Sequence, residues 1–370
     1  MIKHINSLAL FCGLLLISTS CTHSHQAKTE QVRAKNIILL IGDGMGLAQI
    51  STSFYYQEAK PNFARFKHLG FINTSSSSHK ITDSAAGATA FASGKKSYNG
   101  AIGVNADTVS IPTILELAND KELSTGIIAT SSITHATPAC FYAHVPSRNM
   151  HEDIAQQLVE SNVDFFAGGG LQFFQNRKDG ANYYDSLLAH DVVVDTTALG
   201  SPKELCQECQ YGYLLAADGM PRMLDGRGDF LPNATKLGID YLARDEDGFF
   251  LMVEGSQIDW GGHANDAEYI ITEVQDFDKV IGLALDFAEK DGNTLVVVTA
   301  DHETGGFALS SAPKEDGQGS NYDSIKGTFS TGGHTTTLIP VFAYGPGAEN
   351  FGGIYQNTEI FHKMLEASGW

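Results

Sequence analysis

Proline is scarce in this chain, at 10 of 370 residues, which excludes a collagen-like protein and leaves the backbone less restrained than average. Basic residues are also few: 24 Lys plus Arg stand against 43 Asp plus Glu, a net charge of −19. That balance excludes a protein that grips nucleic acid or anionic lipid through its net field. Beyond the N-terminus no run is long and apolar enough to cross a bilayer as a helix. Only 18% of residues are charged and 42% are hydrophobic, which excludes wholesale disorder and a bare coiled coil. Glycine, by contrast, is abundant at 38.

Cysteine is sparse, five in all, and two of them fall in a leader. Lys3 precedes an apolar run from Leu8 to Ile17, then Ser18, Thr19 and Ser20 before Cys21. This is the pattern of a secretory signal with a lipoprotein-type cleavage site. Residues 1–20 read as signal peptide, Cys21 as a lipidation site and 21–35 as a polar tether. Simple cleavage to a free periplasmic protein is the alternative. Cys206 and Cys209 form a lone C-x-x-C, which in an exported chain reads as a local disulfide or two free thiols rather than a zinc site. Cys140 reads as a buried thiol.

The remainder, 36–370, shows no repeat and no linker, so one domain is expected although its length would accommodate two. Short apolar runs at Asn36 to Ile41, Thr125 to Ala129, Asp164 to Ala167, Phe249 to Val253, Thr294 to Thr299 and Ile339 to Ala343 read as buried strands of a largely parallel sheet. Between them lie helical patterns. Ile270, Val274, Phe277, Ile281, Leu285 and Ala288 share one helical face, and Pro112 reads as the first residue of another helix. The alternation predicts a three-layer α/β/α sandwich. The Gly- and Ser-rich stretch Ser310 to Gly333 reads as a long surface loop.

Several polar groups follow these strands. Asp43 sits in Gly42-Asp43-Gly44-Met45-Gly46, at the sheet edge where α/β proteins bind ligands; a capping Asp in a turn is the plainer reading. Thr82-Asp83-Ser84-Ala85-Ala86-Gly87 starts a small-residue helix, so Ser84 is either an N-cap or a nucleophile whose phosphoryl group the helix N-terminus would hold. Glu254, Asp259 and His263 follow one strand, and Asp301-His302-Glu303-Thr304-Gly305-Gly306 follows another. His334 lies in Thr331-Gly332-Gly333-His334-Thr335. Such nitrogen and oxygen donors suit zinc, and the oxygens suit magnesium.

From Lys35 to the C-terminus the chain resembles the alkaline phosphatases. Besides the stretches above, the match is carried by Thr134-His135-Ala136-Thr137-Pro138-Ala139 and Ala143-His144-Val145-Pro146-Ser147-Arg148. The resemblance implies hydrolysis of phosphate monoesters through a phosphoserine at Ser84, with Arg148 clamping phosphate. It implies two Zn2+ and one Mg2+ per subunit: Asp259, His263 and His334 on one zinc; Asp43, Asp301 and His302 on the other; Asp43, Thr137 and Glu254 on magnesium. His135 occupies a position that varies between Asp and His in the family, and its nitrogen would let the third site accept Zn2+. Trp260 stands where relatives often carry Lys or His, beside the substrate phosphate, so one positive contribution is missing there. A homodimer is the family's common state.

Three divalent ions would contribute about six positive charges against the four carboxylates among these ligands, reversing the local field for an anionic substrate in an acidic protein. A diesterase or sulfatase of the same superfamily is the second enzymatic reading, and a phosphate- or metal-binding lipoprotein without turnover the non-enzymatic one. The abundance of Gly and scarcity of Pro point to a heat-labile, cold-adapted protein.

Overall fold

The computed structural model describes residues 32–370 except 207, 208 and 317. The signal peptide, Cys21 and most of the expected tether lie outside the described residues. The packed body begins slightly before the expected boundary at 36. Ala34 is buried and its N–H donates to Ala367 O at 2.8 Å.

Among the described residues fourteen strands form in chain order: β1 (Asn36–Gly42), β2 (His68–Asn73), β3 (Ser124–Ser132), β4 (Phe165–Gly169), β5 (Val193–Asp195), β6 (Tyr211–Leu214), β7 (Phe249–Gly255), β8 (Thr294–Thr299), β9 (Glu303–Thr304), β10 (Ala308–Pro313), β11 (Ser320–Thr328), β12 (His334–Thr335), β13 (Ile339–Tyr344) and β14 (Gly353–Gln356). Ten make one sheet in the order β14-β2-β13-β8-β1-β7-β3-β4-β6-β5, parallel except for β13. Every residue of β1, β7 and β8 is buried, so both faces of the sheet centre are covered. Helices Phe230–Leu242 and Ala267–Asp291 pack on these central strands, as do Ile114–Asn119 and Glu359–Ser368. The result is the three-layer α/β/α sandwich.

The strands absent from the sequence reading are short or glycine-broken, as in His68-Leu69-Gly70-Phe71 of β2 and Tyr211-Gly212-Tyr213 of β6, or lie at the sheet edges, as β5 and β14 do. The expected loop from Ser310 to Gly333 is mostly an antiparallel hairpin of β10 and β11, with a bulge between Ser311 and Ala312. Its polar side chains concealed it, because neither face is fully buried and no apolar alternation is required. Pro112 lies outside its helix. Thr113 is the N-cap, forming a capping box with Glu116. Cys206 and Cys209 are joined in a disulfide, and Cys140 is a buried free thiol. Among the described residues no helix is long and apolar enough to cross a membrane.

β1, β7, β8 and β3 all run the same way, and their carboxyl ends deliver Asp43, Glu254, Asp301 and the 134–137 turn to one edge of the sheet. The chain order reverses about β1, the position at which ligands bind in open α/β sheets.

Candidate metal and phosphate site

Ser84 is the first residue of helix Ser84–Ser93, and Asp83 caps that helix by accepting from Ala86 N at 3.0 Å. All ten helical residues are buried, which their small side chains permit. A Cβ on Gly87 would come within 2.9 Å of Asp301 Cβ, so glycine lets the helix seat against the Asp301 turn. Ser84 Oγ thereby lies 3.4 Å from His302 Nε2.

Around this serine the fold assembles three sets of side-chain atoms that could hold a metal ion, each set within 4.8 Å: Asp259, His263 and His334; Asp43, Asp301 and His302; and Asp43, His135 and Glu254. The first two are the groupings the resemblance implies; the third has His135 where the resemblance named Thr137. Asp259 and His263 come together because they sit one turn apart on helix Gln257–His263. His334 joins them through the short pairing of β12 with β9. Thr137 is buried beside Glu254.

The rings are oriented from behind. His263 Nδ1 donates to Gly332 O at 2.7 Å and His334 Nδ1 to Thr82 O at 2.9 Å, which leaves both Nε2 atoms as acceptors, 3.1 Å apart. His263 is 43% exposed whereas His302, Asp43 and Asp301 are fully buried, so the first set faces solvent and the second does not.

The interior sets carry polar atoms with no partner: both carboxylate oxygens of Asp43, Asp301 Oδ2, Glu254 Oε1, Thr137 Oγ1 and His135 Nδ1. Buried polar atoms without a partner are costly, and the carboxylate oxygens among them are acceptors that cations satisfy. Ionisation tells the same story. Burial, then the charges of Asp301, Asp259 and Glu254, hold the Asp43 carboxyl well above its usual range. Burial pushes Glu254 up to about 7, despite the hydrogen bond from Ser256. Burial, with His334, holds His302 well below the usual imidazole range, and burial with Arg148 and His151 pushes His135 down to about 3. Both rings are therefore neutral, as ligation requires.

Arg148 reaches the same site. Its Nη1 donates to Asp83 Oδ2 at 3.1 Å and its Nη2 to His135 Nε2 at 3.3 Å. Trp260 lies edge-on to His135 at 6.1 Å between ring centroids. A Cβ on Gly219 would meet its ring at 2.7 Å.

Sequence reasoning missed the supporting shell. The N-cap reading offered for Ser84 belongs to Asp83, one residue earlier, and nothing local marked Asp83 as the partner of Arg148. Ser256 and Ser131, which donate to Glu254 Oε2 at 2.7 and 3.3 Å, carry no local signal, and neither does Thr304. Glu303 accepts from Gln49 Nε2, Phe307 N and Thr335 Oγ1, so it ties the His302 turn to the strand of His334 rather than ligating.

A serine beside two sets of side chains that could hold metal ions, with a guanidinium near them, suits a metal-dependent phosphoryl-transfer hydrolase. The alkaline phosphatase family model matches residues 34–322. Alkaline phosphatase 3 of Bacillus subtilis is 33% identical over 92% of this chain and 90% of its own, and the Escherichia coli alkaline phosphatase 32% over 91% and 86%. The solved alkaline phosphatase from the Antarctic bacterium TAB5 is 53% identical, superposes with a TM-score of 0.90, and is matched over 92% of this chain and 99% of its own. The chain belongs to the alkaline phosphatase family, and its activity is metal-dependent hydrolysis of phosphate monoesters.

Proposed function

We propose that Ser84 is the nucleophile of this hydrolysis and that Arg148 binds the transferred phosphoryl group. The observation that carries the reading is the placement of Ser84 Oγ beside His302 Nε2 among interior carboxylate oxygens, of Asp43, Asp301 and Glu254, that have no hydrogen-bond partner. Asp259, His263 and His334 would hold one Zn2+, Asp43, Asp301 and His302 the other, and Asp43, Thr137 and Glu254, with His135, a Mg2+ or a third Zn2+. When bound, such ions act as Lewis acids that favour attack by oxygen and stabilise the leaving oxygen.

The chain's own groups account for the rest. Ser84 Oγ gives up its proton and bonds phosphorus as the P–O bond to the alcohol breaks, and the departing oxygen takes up a proton from solvent. Water, giving up a proton, then forms the new P–O bond as the Ser84 Oγ–P bond breaks and Oγ regains its proton, so two in-line displacements retain configuration overall. The N-terminus of helix Ser84–Ser93 offers its free N–H groups to the phosphoserine oxygens. Asp83 holds the Arg148 guanidinium, whose remaining N–H groups fit two non-bridging oxygens of a monoester dianion; a diester offers less charge. A neutral imidazole has one lone pair, so His135 either accepts from Arg148 or ligates an ion. Occupation of the third site through His135 therefore frees Arg148 Nη2 for substrate. A TAB5 alkaline phosphatase mutant with Asp in place of His has Mg bound in its M3 site; this chain keeps the imidazole of His135, which favours a third Zn2+ over Mg2+ there.

Release of p-nitrophenol from the monoester and from the bis-ester, with and without chelator, tests the reading in wild type and Ser84→Ala. Chelator-sensitive monoesterase activity, lost in Ser84→Ala, is expected. Full activity in Ser84→Ala would overturn the assignment, and a preference for the bis-ester would favour a diesterase.

We also infer export through residues 1–20, with lipidation at Cys21 and a periplasmic enzyme, from the leader's composition. A C2 homodimer is inferred from the family, and cold adaptation from high Gly, low Pro and the likeness to an Antarctic enzyme. Labelling with radioactive palmitate, the mass in solution and a melting temperature below that of mesophilic relatives check these three in turn.

A further inference from the structure

Thr304 lies between the two sets of ligands next to Ser84. It is fully buried in β9, paired through the backbone with His334 of β12. Its hydroxyl donates to Asp259 Oδ1 at 2.5 Å, within the first set. The same oxygen lies 3.2 Å from His302 Nδ1, within the second. A hydroxyl has one proton. With that proton given to the Asp259 carboxylate, Thr304 Oγ1 can only accept from His302, which places the ring proton on Nδ1. His302 Nε2 is then the bare nitrogen, and it is the atom that faces Ser84, Asp43 and Asp301 at 3.4, 3.5 and 3.2 Å.

The surroundings leave this hydroxyl little freedom. Thr304 N donates to Gly44 O at 3.1 Å, and Gln49 Nε2 donates to Thr304 O at 2.9 Å. A Cβ on Gly44 would come within 2.7 Å of Thr304 Oγ1, and one on Gly262 within 2.9 Å of Thr304 Cβ. Two of the abundant glycines thus make room for this one side chain.

We propose that Thr304 is a shared positioning residue for both metal sites, its single hydroxyl orienting the Asp259 carboxylate on one side and selecting the His302 tautomer on the other. Removing the hydroxyl weakens both sites together, whereas an ordinary outer-shell contact serves one. Loss of an outer-shell partner typically costs 10–100-fold in metal affinity, so Thr304→Val is expected to lose about that at each of the two sites. The inference rests on the reading of these sets as metal sites.

The test is Co2+ titration of the metal-free full-length protein, followed by visible absorption and calorimetry, in wild type, Thr304→Val and Thr304→Ser. His334→Ala and His302→Ala backgrounds report the second and first sites separately, and nitrogen-15 NMR reports the His302 tautomer. Weakened Co2+ binding at both sites in Thr304→Val, with His302 losing its single Nδ1–H form, is expected. Thr304→Ser should restore both, and the metal-free variants should melt as wild type does. Unchanged binding in Thr304→Val, or loss at one site only, overturns the proposal. If Thr304→Val does not fold, Thr304→Ser decides alone: a loss of Co2+ affinity or of the Nδ1–H tautomer with the hydroxyl present overturns it. Failure of wild type to bind Co2+ would instead overturn the metal-site reading beneath it.

Discussion

Removing the metals should reverse the way stability depends on pH. In the metal-free protein the buried carboxyls of Asp43, Asp301 and Glu254 all have raised pKa values, burial being the main cause. A carboxyl with a raised folded pKa binds more protons when folded than unfolded. Stability is therefore lost as pH climbs from the unfolded value through the folded one. For Glu254 that window runs from 4.5 to about 7, and leaving it ionised at pH 8 costs about 3 kcal/mol. Across a domain of about 340 residues unfolding entropy near 2.1 cal/mol/K per residue makes this about 4–5 °C in Tm. Asp43 and Asp301 add in the same direction.

Bound cations favour the ionised carboxylates, so the loaded enzyme lacks this loss. The drop in Tm on adding chelator should accordingly be larger at pH 8 than at pH 5, measured by calorimetry. His144, raised by Glu116 and Gly103 O against the desolvation of burial, also loses stability as pH rises, but it does so in both forms and cancels in the difference. Glu254→Gln should flatten the metal-free profile. A chelator effect equal at both pH values, or a metal-free protein as stable at pH 8 as at pH 5, would refute the reasoning.

Further outcomes follow from single side chains. Arg227 is buried between Glu273 and Asp276, bonding Glu273 Oε2 at 2.5 Å and Asp276 Oδ2 at 2.9 Å, so Arg227→Met should cost about 3–5 kcal/mol at pH 8 by stranding two carboxyls. The loss should shrink at pH 5 as they protonate, and a urea melt with equal loss at both pH values would count against the account. Gly44 has φ +68°, and a Cβ there meets Asp259 Cα at 2.8 Å. Gly44→Ala should shift the ligands and lower kcat/KM by about 10²-fold; steady-state kinetics near wild type would contradict this. Trp260→Lys restores a positive charge near His135 and should tighten inhibition by phosphate while slowing its release. Unchanged inhibition and turnover would remove Trp260 from the phosphate's surroundings.

The local sequence determined much of this protein. β1, β7 and β8 were readable because strands buried on both faces must be continuous apolar runs, and helix Ala267–Asp291 because one face repeats every three or four residues. Asp43, Ser84, Asp259, His263, Asp301 and His302 were singled out by the ordered family resemblance, since each alone reads as plainly as a cap or a turn residue. Edge strands such as β14 and the polar β10–β11 hairpin were not, since a strand with an exposed face needs no apolar pattern.

Only the tertiary structure decided which groups stand behind the ligands. Arg148 meets Asp83 across 65 residues of sequence, Glu254 meets Ser131 across 123, and Thr304 reaches Asp259 across 45. A hydrogen bond between distant segments depends on strand order and register, which no local window contains. The residue types that could ligate were therefore written in the chain, while their convergence came from the packing of β1, β3, β7 and β8 side by side.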